Sequence, residues 1–262
     1  MMLDGLATDA EPRDHEIMGG FLKGLAVIEA FGSNSSHLTI ADVAKATGLD
    51  RATARRCLLT LLRCGYAGLE GKRFHLTPRI LRLGFAYLAA TPLPRLVQPF
   101  LERVSEKTDE SCSVSVLDGS EIVYIARASQ RRVLSIGLSV GSRLPAYCAS
   151  MGRVLLAAMP PQEARALLER SERRKLTAKT LTDCDELMAE IARIREQGYC
   201  IVDEELEVGL RSVAVPLRNT SGAVVGAMNI GAQAARASHE RIENEFLPVL
   251  LDMQRDIAGL LP

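Results

Sequence analysis

The amino-acid sequence predicts an α+β fold in two parts, and three observations support this prediction. The chain has 262 residues, which exceeds a typical domain of roughly 100 to 200 residues and fits two. Up to Cys64 the apolar residues recur at helical spacing, whereas a longer series of strand-like stretches begins at Ser111. Hydrophobic residues make up 47% and charged residues 24% of the chain, so both parts can bury a core.

Three helices are predicted in the first part. Apolar residues recur at helical spacing over 20–31. Thr39, with Asp42 three positions later, is typical of a capping box, and it begins a short second helix that ends at Gly48. Asp50 caps a third helix. The apolar stripe of that third helix comprises Ala54, Cys57, Leu58, Leu61 and Leu62.

The second and third helices have the layout of a helix-turn-helix, because only a tight turn at 47–49 joins them. Two strand-like segments follow at 66–69 and 73–76. They flank 70–72 and predict a two-stranded wing with glycine at its tip. Together these elements predict a winged helix-turn-helix domain over 19–78.

The charge distribution indicates what this domain binds. The 32 basic residues balance 32 acidic ones, which excludes nucleic-acid binding through bulk positive charge. Residues 38–82, however, contain nine basic and three acidic residues, a local net charge of +6. A basic helix-turn-helix predicts binding to double-stranded DNA, because arginine can donate two hydrogen bonds to guanine. The candidate DNA contacts are Thr39, Arg51, Ala52, Thr53, Arg55, Arg56, Lys72 and Arg73. A solvated basic face on a protein-docking domain is the alternative.

A linker helix is predicted over 79–92 and a second domain over 93–262. Strand-like alternation occurs at 111–117, 122–128, 133–136, 200–203, 212–217 and 224–230. Helical periodicity occurs at 96–107, 150–159, 161–170, 185–197 and 239–261. Strands early and late, with helices between and at the ends, predict an antiparallel sheet covered by helices on one face.

A pocket between that sheet and its helices is the expected ligand site. The loop 144–152 leads into a helix, whose free N–H groups can receive a ligand carboxylate. The charge run at 203–207 is either a solvated loop or part of the pocket mouth.

Cysteine and histidine spacing predicts no metal, no cofactor and no catalytic site. The six cysteines are scattered without zinc-ligand spacing, and the four histidines are too dispersed for a hydrolytic site. The alternative is a thiol-dependent sulfoxide reductase or oxidant sensor that uses Cys148 or Cys200 at the pocket edge. Neither thiol has a resolving cysteine close in sequence or an obvious activating histidine.

Targeting signals are not evident in the sequence. Residues 1–18 are acidic and lack the basic start of a signal peptide, so a disordered leader is predicted. No apolar run approaches the ~18 residues that a membrane helix needs. We therefore expect a cytoplasmic protein that does not contact a membrane.

Three ordered motifs resemble the isocitrate lyase regulator (IclR) family of bacterial transcription factors. They are LTIADVAKATGLDRATARRCLLTLLRCGY in the first part, and LPAYCASMGRVLLAAM and GYCIVDEELEVGLRSVAVPLRNTSGAVVGAMNI in the second. The resemblance covers 20–261 and implies a winged helix-turn-helix, a linker helix and a GAF-like effector-binding domain with a central antiparallel sheet. It also implies a small organic acid as effector, and homodimers or dimers of dimers on inverted-repeat operators.

The same resemblance implies effector contacts by position. These are Val133, Ile136, Ser150, Met151, Asp203, Ser212, Asn229 and Gly231. Many members have two small residues at 150–151 and an acidic residue where Val202 stands, which implies a different pocket volume and polarity here. The stretch CIVDEELEVGLRS is most similar to the protocatechuate, 4-hydroxybenzoate and β-ketoadipate regulators. An aromatic or β-ketoadipate-pathway acid is therefore the implied effector.

Overall fold

The computed structural model describes residues 16–32, 36–129 and 138–261. The chain divides into two compact units, Met1–Ala90 and Thr91–Pro262. The helix predicted as a linker belongs to the first unit. Within the described residues, no helix is long and apolar enough to cross a membrane.

The first unit contains four helices and a two-stranded hairpin in its described part. In chain order these are α1 (Gly19–Glu29), α2 (Ile40–Thr47), α3 (Arg51–Arg63), β1 (Ala67–Glu70), β2 (Arg73–Leu76) and α4 (Leu81–Ala90), with a 3-10 turn at Pro78–Ile80 before α4. Its core is formed by Val27, Phe31, Val43, Ala54, Leu58, Leu61, Ala67 and Phe74. The predicted winged helix-turn-helix is confirmed.

Side-chain caps fix the two helices of the helix-turn-helix. The Asp42 N–H donates to Thr39 Oγ1 (3.3 Å) and the Thr39 N–H donates to Asp42 Oδ2 (2.9 Å), which is the predicted capping box. Gly48 ends α2 at φ +69°, where a glycine is favoured. Asp50 Oδ1 then accepts the Thr53 N–H at 2.9 Å and begins α3.

The second unit is built on a six-stranded antiparallel sheet with strand order β5-β4-β3-β8-β7-β6. The strands are β3 (Ser111–Asp118), β4 (Glu121–Ala128), β5 (Arg143–Pro145), β6 (Cys200–Asp203), β7 (Leu210–Arg218) and β8 (Val224–Gln233). The helices are α5 (Leu93–Thr108), α6 (Ser150–Ala158), α7 (Pro161–Arg170), α8 (Cys184–Gln197), α9 (His239–Arg241) and α10 (Leu247–Ala258), with a π-helical turn at Ile242–Phe246 between the last two.

Helices cover both faces of this sheet, so the prediction of one covered face was wrong. Val213 and Val215 of β7 pack with α5 and α10, whereas Ala214 packs with α6 and α8 on the opposite face. Successive strand residues point to opposite faces. The uninterrupted apolar run of β7 therefore buries both faces, which is the pattern of a doubly covered sheet.

One helix boundary and one short strand differ from the sequence prediction for local reasons. The prolines at 92 and 94 end α4 but also begin α5, because proline is tolerated in the first turn of a helix. The short edge strand β5 was not predicted, since three residues are too few to show alternation. The predicted strand at 133–136 lies outside the described residues.

Candidate DNA-binding surface and ligand cavity

The start of α3 presents the basic side chains of the first unit to solvent. Arg51, Ala52, Arg55 and Arg56 are all exposed, whereas the apolar stripe of the same helix packs in or against the core. The Asp50 cap fixes the position from which this turn begins. The three guanidinium groups therefore lie on one outward surface that a DNA groove can approach.

Thr53 lies behind that surface. Its side chain is only 7% exposed, and its hydroxyl accepts a hydrogen bond from Arg56 Nη2 at 3.2 Å. Thr53 is thus placed to orient Arg56. Thr39 is half-buried, and its hydroxyl donates to Asp42 Oδ2 at 2.7 Å.

The wing presents Lys72 and Arg73 beside its tip, and both are exposed. Gly71 turns the hairpin at φ +60°. At the base of the wing, the Thr77 hydroxyl donates to the Gly65 carbonyl at 2.6 Å and joins the hairpin to the end of α3. Two basic side chains at a turn of fixed geometry suit contacts to the phosphate backbone.

The second unit contains a cavity of about 920 Å³ between the sheet and the start of α6. Its size falls in the range of small-molecule sites. Five of the eight positions implied by the family resemblance line it: Ser150, Met151, Ser212, Asn229 and Gly231. Val133 and Ile136 lie outside the described residues.

Asp203 does not line the cavity. Its neighbour Val202 does, and consecutive strand residues face opposite sides. The Asp203 carboxylate accepts hydrogen bonds from Arg211 Nε at 2.6 Å and Lys179 Nζ at 2.7 Å. Partial burial opposes ionisation, but these two hydrogen bonds outweigh it and lower the pKa of Asp203 to about 2.

Hydrogen bonds between side chains join the start of α6 to the sheet beside the cavity. The Ser212 hydroxyl donates to Ser150 Oγ at 2.9 Å, and the Ser115 hydroxyl contacts Met151 Sδ at 3.3 Å. Gly152 allows this packing, because a Cβ there would lie 2.3 Å from the Ala146 carbonyl oxygen. These contacts hold the first turn of α6, whose N–H groups have no acceptor within the helix, against the sheet beside the cavity.

Arg127 is a cavity residue that sequence reasoning missed. Its guanidinium donates to Ser113 Oγ at 3.0 Å and Ser111 Oγ at 3.1 Å, and burial lowers the pKa of Arg127. Within the described ranges, no carboxylate lies within 4 Å of this half-buried cation. A lone arginine in the apolar strand EIVYIARA is the signal that could have identified it.

Asn229 faces the same part of the cavity. It pairs with Ser113 across β3 and β8, while Arg127 pairs with Ser113 across β3 and β4. Asn229 is 8% exposed, and its Oδ1 is buried without a hydrogen-bond partner among the residues that the structure describes. A cation and an unpaired acceptor therefore flank Ser113 on one face of the sheet.

A buried ion pair connects α6 to the charge run at 203–207. Arg153 Nη1 and Nη2 each lie 2.6 Å from an oxygen of Glu205, and Arg153 is 1% exposed. Glu205 also accepts the Leu181 N–H at 2.9 Å. Since Glu204, Leu206 and Glu207 line the cavity, this part of the run belongs to the cavity wall and is not a freely solvated loop.

The two thiols considered as reactive groups are buried. Burial raises the pKa of Cys148 to about 11 and that of Cys200 to about 12. Reactive cysteines require a lowered pKa and access to solvent. The surroundings of both thiols are therefore the opposite of what a thiol reductase or an oxidant sensor needs.

A winged helix-turn-helix with an arginine-bearing helix, followed by a unit with a ligand-sized cavity, defines the class of DNA-binding regulators that carry their own ligand-binding domain. The IclR helix-turn-helix domain matches residues 22–69, and the bacterial transcriptional regulator IclR C-terminal domain matches residues 85–259. The chain belongs to the IclR family of transcriptional regulators.

Three similar proteins illustrate this membership. The Pca regulon regulatory protein of Pseudomonas putida is 46% identical over 95% of this chain and 86% of its own length. A crystal structure of a transcriptional regulator from Rhodococcus sp. RHA1 is 48% identical, with a TM-score of 0.80 over 92% of this chain and 97% of that one. A double mutant of the inducer-binding domain of PobR from Acinetobacter, in complex with 3-hydroxybenzoic acid, is 30% identical, with a TM-score of 0.62 over 64% of this chain and 98% of that one.

Proposed function

We propose that this regulator responds to a hydroxylated aromatic carboxylic acid whose carboxylate is bound by Arg127. The observation that carries the proposal is a cation without a carboxylate partner and an acceptor without a donor, both beside Ser113 in the part of the second unit that the structure describes. Arg127 is a half-buried cation whose hydrogen bonds go to two hydroxyls, and Asn229 Oδ1 is a buried acceptor without a partner in the described part of the chain. A carboxylate satisfies the first group and a ligand hydroxyl satisfies the second.

The spacing and lining of the cavity favour an aromatic spacer between those two ligand groups. Arg127 and Asn229 stand on the strands either side of β3, so their Cα atoms are separated by two strand spacings, about 10 Å. The lining of the same cavity includes Tyr124 and Met151, which suit contact with a flat apolar ring. The 3-hydroxybenzoic acid bound by the PobR inducer-binding domain has this chemistry.

On the DNA side, we propose that Arg51, Arg55 and Arg56 contact base edges and that Lys72 and Arg73 contact phosphates. The exposed start of α3 supports the first assignment, and the exposed wing supports the second. The other three candidates then act indirectly. Thr39 and Thr53 take part in the hydrogen bonds that cap α2 and α3. The small side chain of Ala52 lets the DNA backbone approach the start of α3.

We further propose that the chain acts as a homodimer, or a dimer of dimers, on inverted-repeat operators. Helix α4 has no buried residue although it is largely apolar, and an apolar helix that buries nothing against the described residues of its own chain is suited to cover a partner. The exposed apolar residues of α1 and α4 are Phe21, Leu22, Leu25, Leu81, Leu83, Phe85 and Tyr87. A second copy would bring two α3 helices to major grooves about 34 to 36 Å apart.

The test is operator binding with and without candidate effectors. Fluorescence anisotropy with DNA from upstream of the gene is measured at fixed salt, with 3-hydroxybenzoate, 4-hydroxybenzoate, protocatechuate and β-ketoadipate. A shift in operator affinity by a hydroxybenzoate, equivalent to a coupling of ~1 to 3 kcal/mol, supports the proposal. If only β-ketoadipate changes operator affinity, the effector is an aliphatic diacid and the proposal of an aromatic acid is wrong. Specific binding that is indifferent to all four acids would refute the effector assignment and leave DNA binding intact.

A further inference from the structure

Two histidines and a glutamate converge on one face of the wing hairpin. One side-chain ligand atom of each of His37, Glu70 and His75 lies within 4.8 Å of the other two. His37 Nε2 is 3.7 Å from Glu70 Oε2, and the two imidazole ring centroids are 5.1 Å apart. None of the three was assigned to DNA contact, and sequence spacing did not indicate the cluster because His37 and His75 are far apart in the chain.

Strand pairing assembles this cluster. An antiparallel bridge between Leu38 and Phe74 brings the preceding residue, His37, beside the following one, His75. In the hairpin, Gly68 pairs with His75, and Glu70 lies two residues beyond Gly68 on the same face. All three side chains therefore share one face of the small sheet.

The His75 ring packs directly against the backbone of Gly68. A Cβ at Gly68 would lie 2.3 Å from His75 Nε2 and 2.5 Å from its Cε1, so the ring could keep this position only above a glycine. His75 Nδ1 is buried without a hydrogen-bond partner within the described ranges. A buried imidazole nitrogen is normally satisfied by a donor, an acceptor or a metal ion.

We propose that His37, Glu70 and His75 form a site for a divalent transition-metal ion, with zinc as the best fit. Two imidazoles and one carboxylate are donors that zinc favours, whereas magnesium and calcium prefer oxygen ligands alone. Zinc bonds of about 2.0 to 2.2 Å place tetrahedral ligand atoms about 3.3 Å apart. Rotation of the Glu70 side chain, which is 71% exposed, can bring the carboxylate to that distance.

The site connects two pieces of the DNA-binding unit. His37 precedes α2, while Glu70 and His75 belong to the two wing strands. A bound ion joins the wing to the entry of the helix-turn-helix and restricts the hairpin that carries Lys72 and Arg73. Arg73 pairs with Glu70 across the hairpin, so its charge weakens cation binding relative to a site without such a neighbour.

The test is metal binding by the chelator-treated full chain. Equilibrium dialysis against zinc, followed by metal analysis, is expected to give one equivalent per chain. Cobalt is expected to give a visible d–d spectrum without a strong thiolate charge-transfer band. Substitution of either histidine, H37Q or H75Q, is expected to abolish that equivalent. E70Q is expected to weaken zinc binding about tenfold or more, because loss of outer partners alone costs 10–100-fold.

The controls separate this site from folding and from cysteine binding. E70Q changes an exposed side chain, so its circular dichroism without metal should equal that of the parent chain. H239Q removes a histidine outside the cluster, and C64S removes an exposed thiol; both should retain the zinc equivalent. Unchanged zinc stoichiometry in H37Q and E70Q, or a thiolate band in the cobalt spectrum that C64S removes, would overturn the proposal.

Discussion

The two functional surfaces of this protein are built in opposite ways. The proposed DNA-binding surface consists of exposed arginines on one helix and two basic residues in a four-residue strand and its turn, and each is placed by its own local element. The ligand cavity consists of buried polar groups contributed by β3, β4, β7, β8 and α6, and each group is placed by its neighbours in the sheet.

This difference determines how each surface responds to substitution. An exposed arginine has water as an alternative partner, so its loss affects DNA binding and leaves the fold intact. A buried polar group has no alternative partner, so its loss affects folding, ligand binding or both. Substitutions of buried polar groups in the second unit are therefore expected to cost more free energy of unfolding or binding than substitutions of exposed arginines.

The largest effect is expected for the buried pair of Arg153 and Glu205. R153M leaves the Glu205 carboxylate buried without its cation, and breaking such a pair costs about 3 to 5 kcal/mol of unfolding free energy. The double variant R153M/E205M removes both charges and should recover most of that loss. Urea denaturation followed by circular dichroism measures the difference.

An exposed ion pair provides the matched control for that experiment. R165M breaks the pair of Arg165 with Asp185, whose side chains are 44% and 82% exposed, and should change the unfolding curve little. Hydrogen exchange of α2 and α3 peptides should be unaffected by R153M, since these helices belong to the other unit. Equal losses of unfolding free energy in R153M and R165M would contradict the expectation that the buried ion pair stabilises the fold more than the exposed one.

The second effect concerns Arg127 and ligand affinity. R127Q removes the charged donor proposed for the carboxylate, and hydrogen bonds to charged groups contribute about 1.5 to 3 kcal/mol. We therefore expect roughly ten- to a hundredfold weaker binding of a hydroxybenzoate by calorimetry. R193Q, on the exposed face of α8 and outside the cavity, should bind as the parent chain does. Unchanged affinity in R127Q would remove Arg127 from the site.

The sequence predicts the elements that depend on neighbouring residues better than it predicts the cavity, which depends on strand pairing. The caps at Thr39 and Asp50, the wing and most strands depend on neighbouring residues, and the structure agrees with them to within a few positions. The family resemblance also located Ser150 and Asn229 at the cavity. Arg127 stands out in the sequence as a lone arginine in an apolar strand, but its neighbours at the cavity could not be predicted, because they depend on the pairing of β3 with two other strands and on a register shift between Val114 and Ser115.

The third effect tests the exposed surface directly. R55A or R56A should cost about 1 to 3 kcal/mol of operator affinity and relax specificity at one base position, if the residue contacts a base edge. Because Arg56 donates to the buried Thr53 hydroxyl, T53V should reproduce part of the R56A loss without removing a cation. Thermal stability of R55A should match that of the parent chain. A uniform loss across operator sequences would reassign the arginine to the phosphates.

Asp203 tests where the cavity ends. Its pKa is held near 2 by Arg211 and Lys179, below its ordinary value of 3.8, so its ion pairs stabilise the folded state above pH 4. That contribution is lost as the pH falls from about 4 toward 2. D203N should therefore flatten the acid limb of stability against pH while ligand affinity at neutral pH stays unchanged. A clear loss of ligand affinity would return Asp203 to the cavity wall.

The smallest effect is expected at the wing. Lys72 is exposed beside the hairpin tip, and a phosphate contact there carries no sequence information. K72A should weaken operator and non-operator DNA alike and reduce the slope of log affinity against log salt by about 1. R56A, by contrast, should lower operator affinity more than non-operator affinity. If K72A changes the ratio of the two affinities, the wing contributes to sequence recognition, and the two basic surfaces of this unit are not divided between base and backbone contacts.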